Sequence, residues 1–221
     1  MKLNKLVVFD LETSSVKVDD TQILEIAAMA VDPVSWKPLA ASDFQSLVRP
    51  DRPDDVEPAA LAVNGLKMDE LMAAPSAKKV MTKFYDYLRQ LGGATTTTFN
   101  APFAGGKNIR GFDLPIVTRY AEAMKLPPLF NPKRVFDLDD VLMWTVGQAN
   151  QVDDISMDTA RAFFGIPKTG AHRALLDVRQ TAWLLCKMNR LFRHISASMS
   201  EKFQEAGRDV DFASPGSWFS A

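Results

Sequence analysis

The feature that most constrains this fold is a run of four apolar residues that leads directly into two acids. Leu6-Val7-Val8-Phe9 lacks the polar alternation of a half-exposed strand, which is typical of a strand buried on both faces. Asp10 and Glu12 follow the run. Because residues i and i+2 of a strand point to the same side, both carboxylates are expected to project together. The sequence therefore predicts an internal strand that ends in paired acidic side chains.

The remaining pattern predicts a mixed-sheet α/β domain, because three strands are followed by alternating strands and helices. Strands are expected at residues 6–9, 23–31, 44–48, 94–99 and 134–138. Helices are expected at 57–63, 76–91 and 114–125 and from residues 139, 156 and 173. Asn64-Gly65 should stop the first of these helices, and residues 100–110 are expected to form a Gly-containing loop.

A chain of 221 residues has room for one domain and an appendage. We expect the domain at residues 1–195 and a helical extension with a tail at 196–221. A single cysteine, Cys186, fits a reducing compartment. No apolar stretch is long enough for a membrane span, and residues 1–5 read as the approach to a strand and not as a signal peptide. A cytoplasmic protein is therefore expected.

The formal net charge is only −1, but the charge is unevenly distributed. Between residues 161 and 195 the sequence contains seven basic residues and a single acid, Asp177. The basic residues are Arg161, Lys168, Arg173, Arg179, Lys187, Arg190 and Arg193. Such a surface could steer a polyanion, and a solvated helix face is the alternative explanation.

Several acids and one histidine are candidates for chemistry. Asp10 and Glu12 should repel each other unless a cation such as Mg²⁺ or Mn²⁺ holds them, although two acids at a strand end also occur without a function. Asp113 precedes a helix, where it is either a site residue or an N-cap. His172 and Asp177 are five residues apart, which fits a histidine before a helix and an aspartate one turn inside it.

Taken together, the order D-x-E, N-x-x-x-F-D and H-x-A-x-x-D resembles the DEDDh group of 3′-to-5′ exonucleases over about residues 5–190. The first motif is Val8-Phe9-Asp10-Leu11-Glu12-Thr13, and the third and most specific is Ala171-His172-Arg173-Ala174-Leu175-Leu176-Asp177. Residues 23–28 and 63–66 also resemble connecting segments of that family. The second motif, with one extra residue and a Gly-rich approach, is closer to the exonuclease I style.

The resemblance implies a ribonuclease-H-like fold, a five-stranded mixed sheet flanked by helices. It also implies two divalent metal ions, Mg²⁺ or Mn²⁺. Asp10, Glu12 and Asp177 would hold one ion, and Asp10 would bridge to a second that Asp113 supports. His172 would act as the general base. Leu11 and Thr13 match positions that contact the terminal nucleotide in relatives, and Asn108 and Phe112 lie where the nucleic-acid strand would pass.

The expected function is thus a metal-dependent 3′-to-5′ exonuclease that releases nucleoside 5′-monophosphates, with single-stranded DNA favoured by the second motif. An RNA-directed exoribonuclease is the first alternative. The second is a docking module in which residues 196–221, through Trp218 and Phe219, bind a polymerase or another replication protein. A loosely packed terminus would explain the same segment without a partner.

Overall fold

The computed structural model describes residues 5–92, 101–148, 153–167 and 174–208, with side chains in the last range described as far as residue 196. The strands in these ranges are β1 (Leu6–Thr13), β2 (Ile23–Asp32), β3 (Lys37–Pro38), β4 (Phe44–Leu47), β5 (Phe103–Gly106) and β6 (Val135–Asp137). The helices are α1 (Pro58–Asn64), α2 (Met68–Ala73), α3 (Ala77–Gly92), α4 (Asp113–Ala123), α5 (Leu138–Trp144), α6 (Met157–Phe163) and α7 (Ala174–Arg208).

The described strands form one mixed sheet in which β1 is central. The order is β3-β2-β1-β5-β6, and β4 pairs with β2 beside β3. β2 runs antiparallel to β1, whereas β5 and β6 run parallel to it. β1 extends beyond β5, since their pairing ends at Val8 and Gly105. The last residues of β1 therefore lie at the carboxyl end of the parallel half of the sheet, where open α/β sheets usually bind ligands.

The apolar run that begins β1 is buried, as its sequence predicts. Leu6, Val7 and Val8 are inaccessible to solvent, and Phe9 is 1% exposed. Phe9 stacks on Phe130, with ring centroids 4.7 Å apart, within the main cluster of buried side chains. This packing fixes the strand that carries Asp10.

The mixed-sheet fold class is confirmed, but the number of strands and the loop expected at 100–110 differ from the structure. The described sheet has six strands and not five, because the two-residue edge strand β3 pairs with the end of β2. The strand expected at 94–99 lies outside the described residues. The loop expected at 100–110 is wrong for Phe103–Gly106, which forms β5.

The physical reason for a strand at Phe103–Gly106 is close packing around two glycines. A Cβ atom at Gly105 would lie 3.0 Å from Leu6 Cδ1 and 3.5 Å from Leu185 Cδ1. One at Gly106 would lie 2.6 Å from Ile109 Cδ1. Small residues in a strand thus allow neighbours to approach closely. Strand propensity alone would not predict this strand, because glycine is disfavoured in strands.

The helices begin and end close to the predicted residues. α1 ends at Asn64, and Gly65 follows it in the left-handed conformation, with φ of 67°, as expected for a glycine that stops a helix. Ser156 caps α6 by accepting a hydrogen bond from the Thr159 N–H. The short helix α2 was not expected from the sequence.

The chain divides into two compact units, Met1–Leu185 and Cys186–Ala221, with the boundary inside α7. The second unit is helical as far as Arg208. The domain boundary expected at residue 195 stays a prediction. None of the described helices combines the length and the apolar character that a bilayer-spanning segment needs.

Candidate active site

Asp10 and Glu12 lie near the end of β1, past the point where β5 stops pairing with it. Both are half-buried, while their neighbours Phe9 and Leu11 are buried on the other side of the strand. Both carboxylates line a cavity of about 290 Å³. The projection of the two acids to the same side therefore follows from the strand period, as expected.

Asp113 is the first residue of α4 and is only 4% exposed. Its Oδ1 accepts a hydrogen bond of 2.9 Å from the Leu11 N–H, so it joins the start of α4 to β1. The N-cap position belongs to Phe112, and Asp113 does not occupy it. The structure therefore does not place Asp113 at the N-cap position of α4.

Asp177 lies in the first turn of α7, and its side chain is 19% exposed. Its Oδ1 accepts a hydrogen bond of 2.5 Å from Arg161 Nη2 on α6. Asp10, Glu12, Asp113 and Asp177 all line the same cavity. Carboxylates from β1, α4 and α7 thus meet at one cavity, although Asp10 and Asp177 are more than 160 positions apart in the chain.

Burial and mutual repulsion raise the pKa values of three of these acids. The pKa of Asp10 lies well above its ordinary value because the group is desolvated and because Asp113, Glu12 and Asp177 are negatively charged. Burial, followed by the charges of Glu25 and Asp177, raises the pKa of Glu12 to about 7. Such shifts indicate negative charge that the surrounding protein does not fully compensate.

Asp113 behaves in the same way, with one opposing effect. Burial raises its pKa to about 8, although the hydrogen bond from the Leu11 N–H favours the charged form and lowers it. The charges of Glu12 and Asp137 add smaller increases. Groups with strongly shifted pKa values that converge in a cleft are typical of functional sites.

The chemistry of the donors fits a hard divalent cation, because the cavity offers four carboxylates and such ions prefer oxygen ligands. As the side chains stand, however, no group of three or more Asp, Glu, His or Cys residues in the described ranges is arranged to hold an ion. Two of the four acids accept hydrogen bonds from the protein. Asp113 is turned to the Leu11 N–H, and Asp177 is turned to Arg161.

The other residues expected at the site are distributed as follows. Leu11, Asn108 and Phe112 line the cavity. Thr13 is not among its lining residues, and its hydroxyl donates to the Ser15 carbonyl. His172 lies outside the described residues.

Sequence reasoning missed several residues in and near the cavity. Lys107, Met157, Arg161 and Thr181 also line it. Arg161 is only 8% exposed, so it does not belong to a solvated helix face. Glu25, which is 5% exposed, lies opposite Glu12 in the β1–β2 pairing. Its signal was an acid within the otherwise apolar run at 23–31.

Comparisons with known proteins show what this chain is similar to. The model of the RNase_T family, described as "Exonuclease", matches residues 7–185. Among curated proteins, Protein NEN1 of Arabidopsis thaliana is 25% identical over 223 residues, which is 96% of this chain and 44% of NEN1. Protein NEN2 of the same plant is 27% identical over 158 residues, which is 71% of this chain and 29% of NEN2.

Solved structures share the fold. E. coli exonuclease I in complex with a dA16 oligonucleotide aligns with a TM-score of 0.69 and 17% identity, covering 86% of this chain and 42% of that one. Exonuclease I from Methylocaldum szegediense aligns with a TM-score of 0.68 and 18% identity, covering 93% and 46%. The chain spans less than half the length of each of these four proteins.

Proposed function

This chain belongs to the RNase_T family of exonucleases, and from that premise we propose that it removes nucleotides from the 3′ end of nucleic acid. The reaction is metal-dependent hydrolysis of a phosphodiester bond, and the products are nucleoside 5′-monophosphates. The observation that carries the proposal is the meeting of Asp10, Glu12, Asp113 and Asp177 at one cavity. These are the acids that the three sequence motifs single out.

The roles of the residues follow from their chemistry and from the family resemblance. Asp10, Glu12 and Asp177 would hold one divalent ion, and Asp10 and Asp113 would hold a second. Such ions, Mg²⁺ or Mn²⁺, would supply activation of the attacking water and stabilisation of the leaving oxygen. His172 takes the proton from that water, a task suited to a group that titrates near neutrality.

Leu11, Asn108 and Phe112 line the cavity and offer an apolar and amide surface to the terminal nucleotide. Thr13 is proposed for the same purpose on the basis of the first motif alone, since it does not line the cavity.

Single-stranded DNA is the substrate that we favour. The second motif is of the exonuclease I style, and E. coli exonuclease I has been solved with the oligonucleotides dA16 and dT13. A zinc-bound form of an E. coli exonuclease I complex with single-stranded DNA shows that such a protein takes a divalent ion. RNA is the alternative substrate. A protein distinguishes RNA from DNA by contact with the 2′-hydroxyl group.

The wider setting of the reaction is proposed on sequence grounds. We expect it in the cytoplasm, as part of DNA replication or repair. Binding of a polymerase or a replication protein through residues 196–221 stays a prediction, since residues 209–221 lie outside the described residues.

The test is degradation of 5′-labelled DNA and RNA oligonucleotides of the same sequence, with Mg²⁺, with Mn²⁺ and with EDTA. We expect a ladder that shortens from the 3′ end only when a divalent ion is present, and that forms faster on DNA. Asp10→Asn should slow it by at least about 100-fold, because removal of one charge impairs ion binding. The matched control is Asp19→Asn, a change at an exposed acid outside the cavity.

The outcomes separate the parts of the proposal. A faster ladder on RNA would replace the DNA preference and leave the chemistry in place. Shortening from the 5′ end would contradict the polarity. Intact substrates with every cation, or full activity of the Asp10→Asn variant, would contradict the proposed function itself.

A further inference from the structure

Arg161 on α6 is a buried cation in the cavity of the four carboxylates. It is only 8% exposed, and it lines the cavity together with Lys107. Arginine is rarely buried to this extent unless its charge is paired. The contacts of Arg161 therefore bear on what the cavity does.

Three acceptors fix the guanidinium group of Arg161. Nε donates to Gln180 Oε1 at 2.6 Å, Nη1 donates to Asp158 Oδ1 at 2.8 Å, and Nη2 donates to Asp177 Oδ1 at 2.5 Å. Asp158 is on α6 itself, whereas Gln180 and Asp177 are on α7. Because the planar fork of donors is held from two helices, its position does not depend on Asp177 alone.

The contact with Asp177 distinguishes Arg161 from the other cation of the cavity. Lys107 pairs with Asp139 at 2.7 Å, and Asp139 is not among the cavity-lining residues. Among the described residues, Arg161 thus holds one of the four candidate ligands, whereas Lys107 pairs with an acid that does not line the cavity. A carboxylate has about four lone-pair positions, so an arginine on Oδ1 is compatible with an ion on the same group.

We infer that Arg161 is a positioning residue for metal binding, which holds the Asp177 carboxylate at the wall of the cavity. This inference rests on the proposed function. Partners that hydrogen-bond to a metal ligand orient it, and their loss typically weakens metal affinity about 10- to 100-fold. The opposite role is a guanidinium that occupies Asp177 in place of an ion. The anchoring by Gln180 and Asp158 favours support over competition, because Arg161 has partners that keep it in place whether or not an ion is bound.

The experiment is a calorimetric titration of the full chain, freed of metal with EDTA and dialysed, with Mn²⁺. We compare the unaltered chain with R161Q, R161K and R179Q. R179Q is the matched control, since Arg179 also pairs with an aspartate, Asp43, at 2.5 Å, but neither residue lines the cavity. We expect R161Q to raise the Mn²⁺ dissociation constant about 10- to 100-fold and R179Q to leave it within about twofold.

A purely structural role of Arg161 gives a different result. It would lower the melting temperature of R161Q without changing the Mn²⁺ affinity of the folded protein, so a circular-dichroism melt accompanies each titration. Should R161Q fail to fold, R161K decides, because lysine keeps the charge but lacks the fork of donors. We expect R161K to weaken Mn²⁺ binding at least about threefold.

Equal or tighter Mn²⁺ binding by a folded Arg161 variant would overturn the inference and leave the proposed function in place. Weaker binding by the variant of a chain that shows no exonuclease activity would support the inference and overturn the proposed function. Absence of Mn²⁺ binding by the unaltered chain would overturn both.

Discussion

Glu25 shows how a single buried acid influences the candidate site from the neighbouring strand. It lies opposite Glu12 in the antiparallel pairing of β1 and β2, and its Oε1 accepts a hydrogen bond from Gln45 Nε2. Like charges at opposite positions of paired strands repel. After burial, the charge of Glu25 is the largest cause of the raised pKa of Glu12. The pKa of a candidate site residue is therefore raised by the charge of a residue that does not line the cavity.

We expect Glu25→Gln to lower the pKa of Glu12 from about 7 toward its ordinary value, because the amide removes the charge and keeps the size of the side chain. Carbon-13 NMR titration of the glutamate carboxyl carbons in the metal-free protein measures the shift. The matched control is Glu57→Gln at an exposed position. An unchanged pKa of Glu12 would show that burial and the charge of Asp177 account for the shift without Glu25.

At the scale of elements, β5 determines where the loop that leads to Asp113 begins. Gly106 is the last residue of β5, and a Cβ there would lie 3.0 Å from the Phe9 carbonyl oxygen as well as 2.6 Å from Ile109 Cδ1. Ile109 is inaccessible to solvent, so it has little room to move. The absence of a side chain at Gly106 thus lets the loop return closely over β1.

Gly106→Ala should lower the free energy of unfolding by about 1–3 kcal/mol, which is typical of overpacking in a dense interior. Gly105→Ala should have a smaller effect, because its nearest contact, Leu6 Cδ1, is 3.0 Å away, whereas a Cβ at Gly106 would lie 2.6 Å from Ile109 Cδ1 and 3.0 Å from a backbone oxygen. Urea unfolding followed by circular dichroism compares the two variants with the unaltered chain. The close-packing explanation would be wrong if Gly106→Ala were as stable as the unaltered chain.

At the scale of the whole molecule, the carboxylate cavity couples folding to pH and to divalent ions. The pKa values of Asp10, Glu12 and Asp113 are all raised in the folded protein. Folded protein therefore binds more protons than unfolded protein between the ordinary values near 4 and the raised values of about 7 for Glu12 and about 8 for Asp113. Stability of the metal-free protein must fall as pH rises through this window.

We expect the melting temperature in EDTA to be lower at pH 8 than at pH 6, by at least about 3 °C, since one pKa unit corresponds to about 1.4 kcal/mol and thus to about 3–6 °C for a chain of this size. Mg²⁺ should raise the melting temperature more at pH 8, where the carboxylates are charged. Scanning calorimetry at the two pH values, with Mg²⁺ or EDTA, measures both effects. An equal Mg²⁺ effect at both pH values would contradict the electrostatic account.

Much of this protein follows from local sequence patterns. The strand period predicted that Asp10 and Glu12 project together, the buried run at 6–9 predicted an internal strand, and Gly65 predicted the end of α1. The family resemblance, inferred from three short motifs, is confirmed by the match over residues 7–185. The assignment of catalytic roles to those motifs stays a prediction, and His172 lies outside the described residues.

The sequence alone thus determined the fold class and the family and named the four acids as candidates, because each can be inferred from short motifs and local patterns. Only the tertiary structure decided that Phe103–Gly106 is a strand, that Glu25 faces Glu12 and that Arg161 is buried against Asp177. These features depend on close approach between segments that are distant in the chain. Local propensity and charge counts contain no information about such distances, because the packing of distant segments determines them.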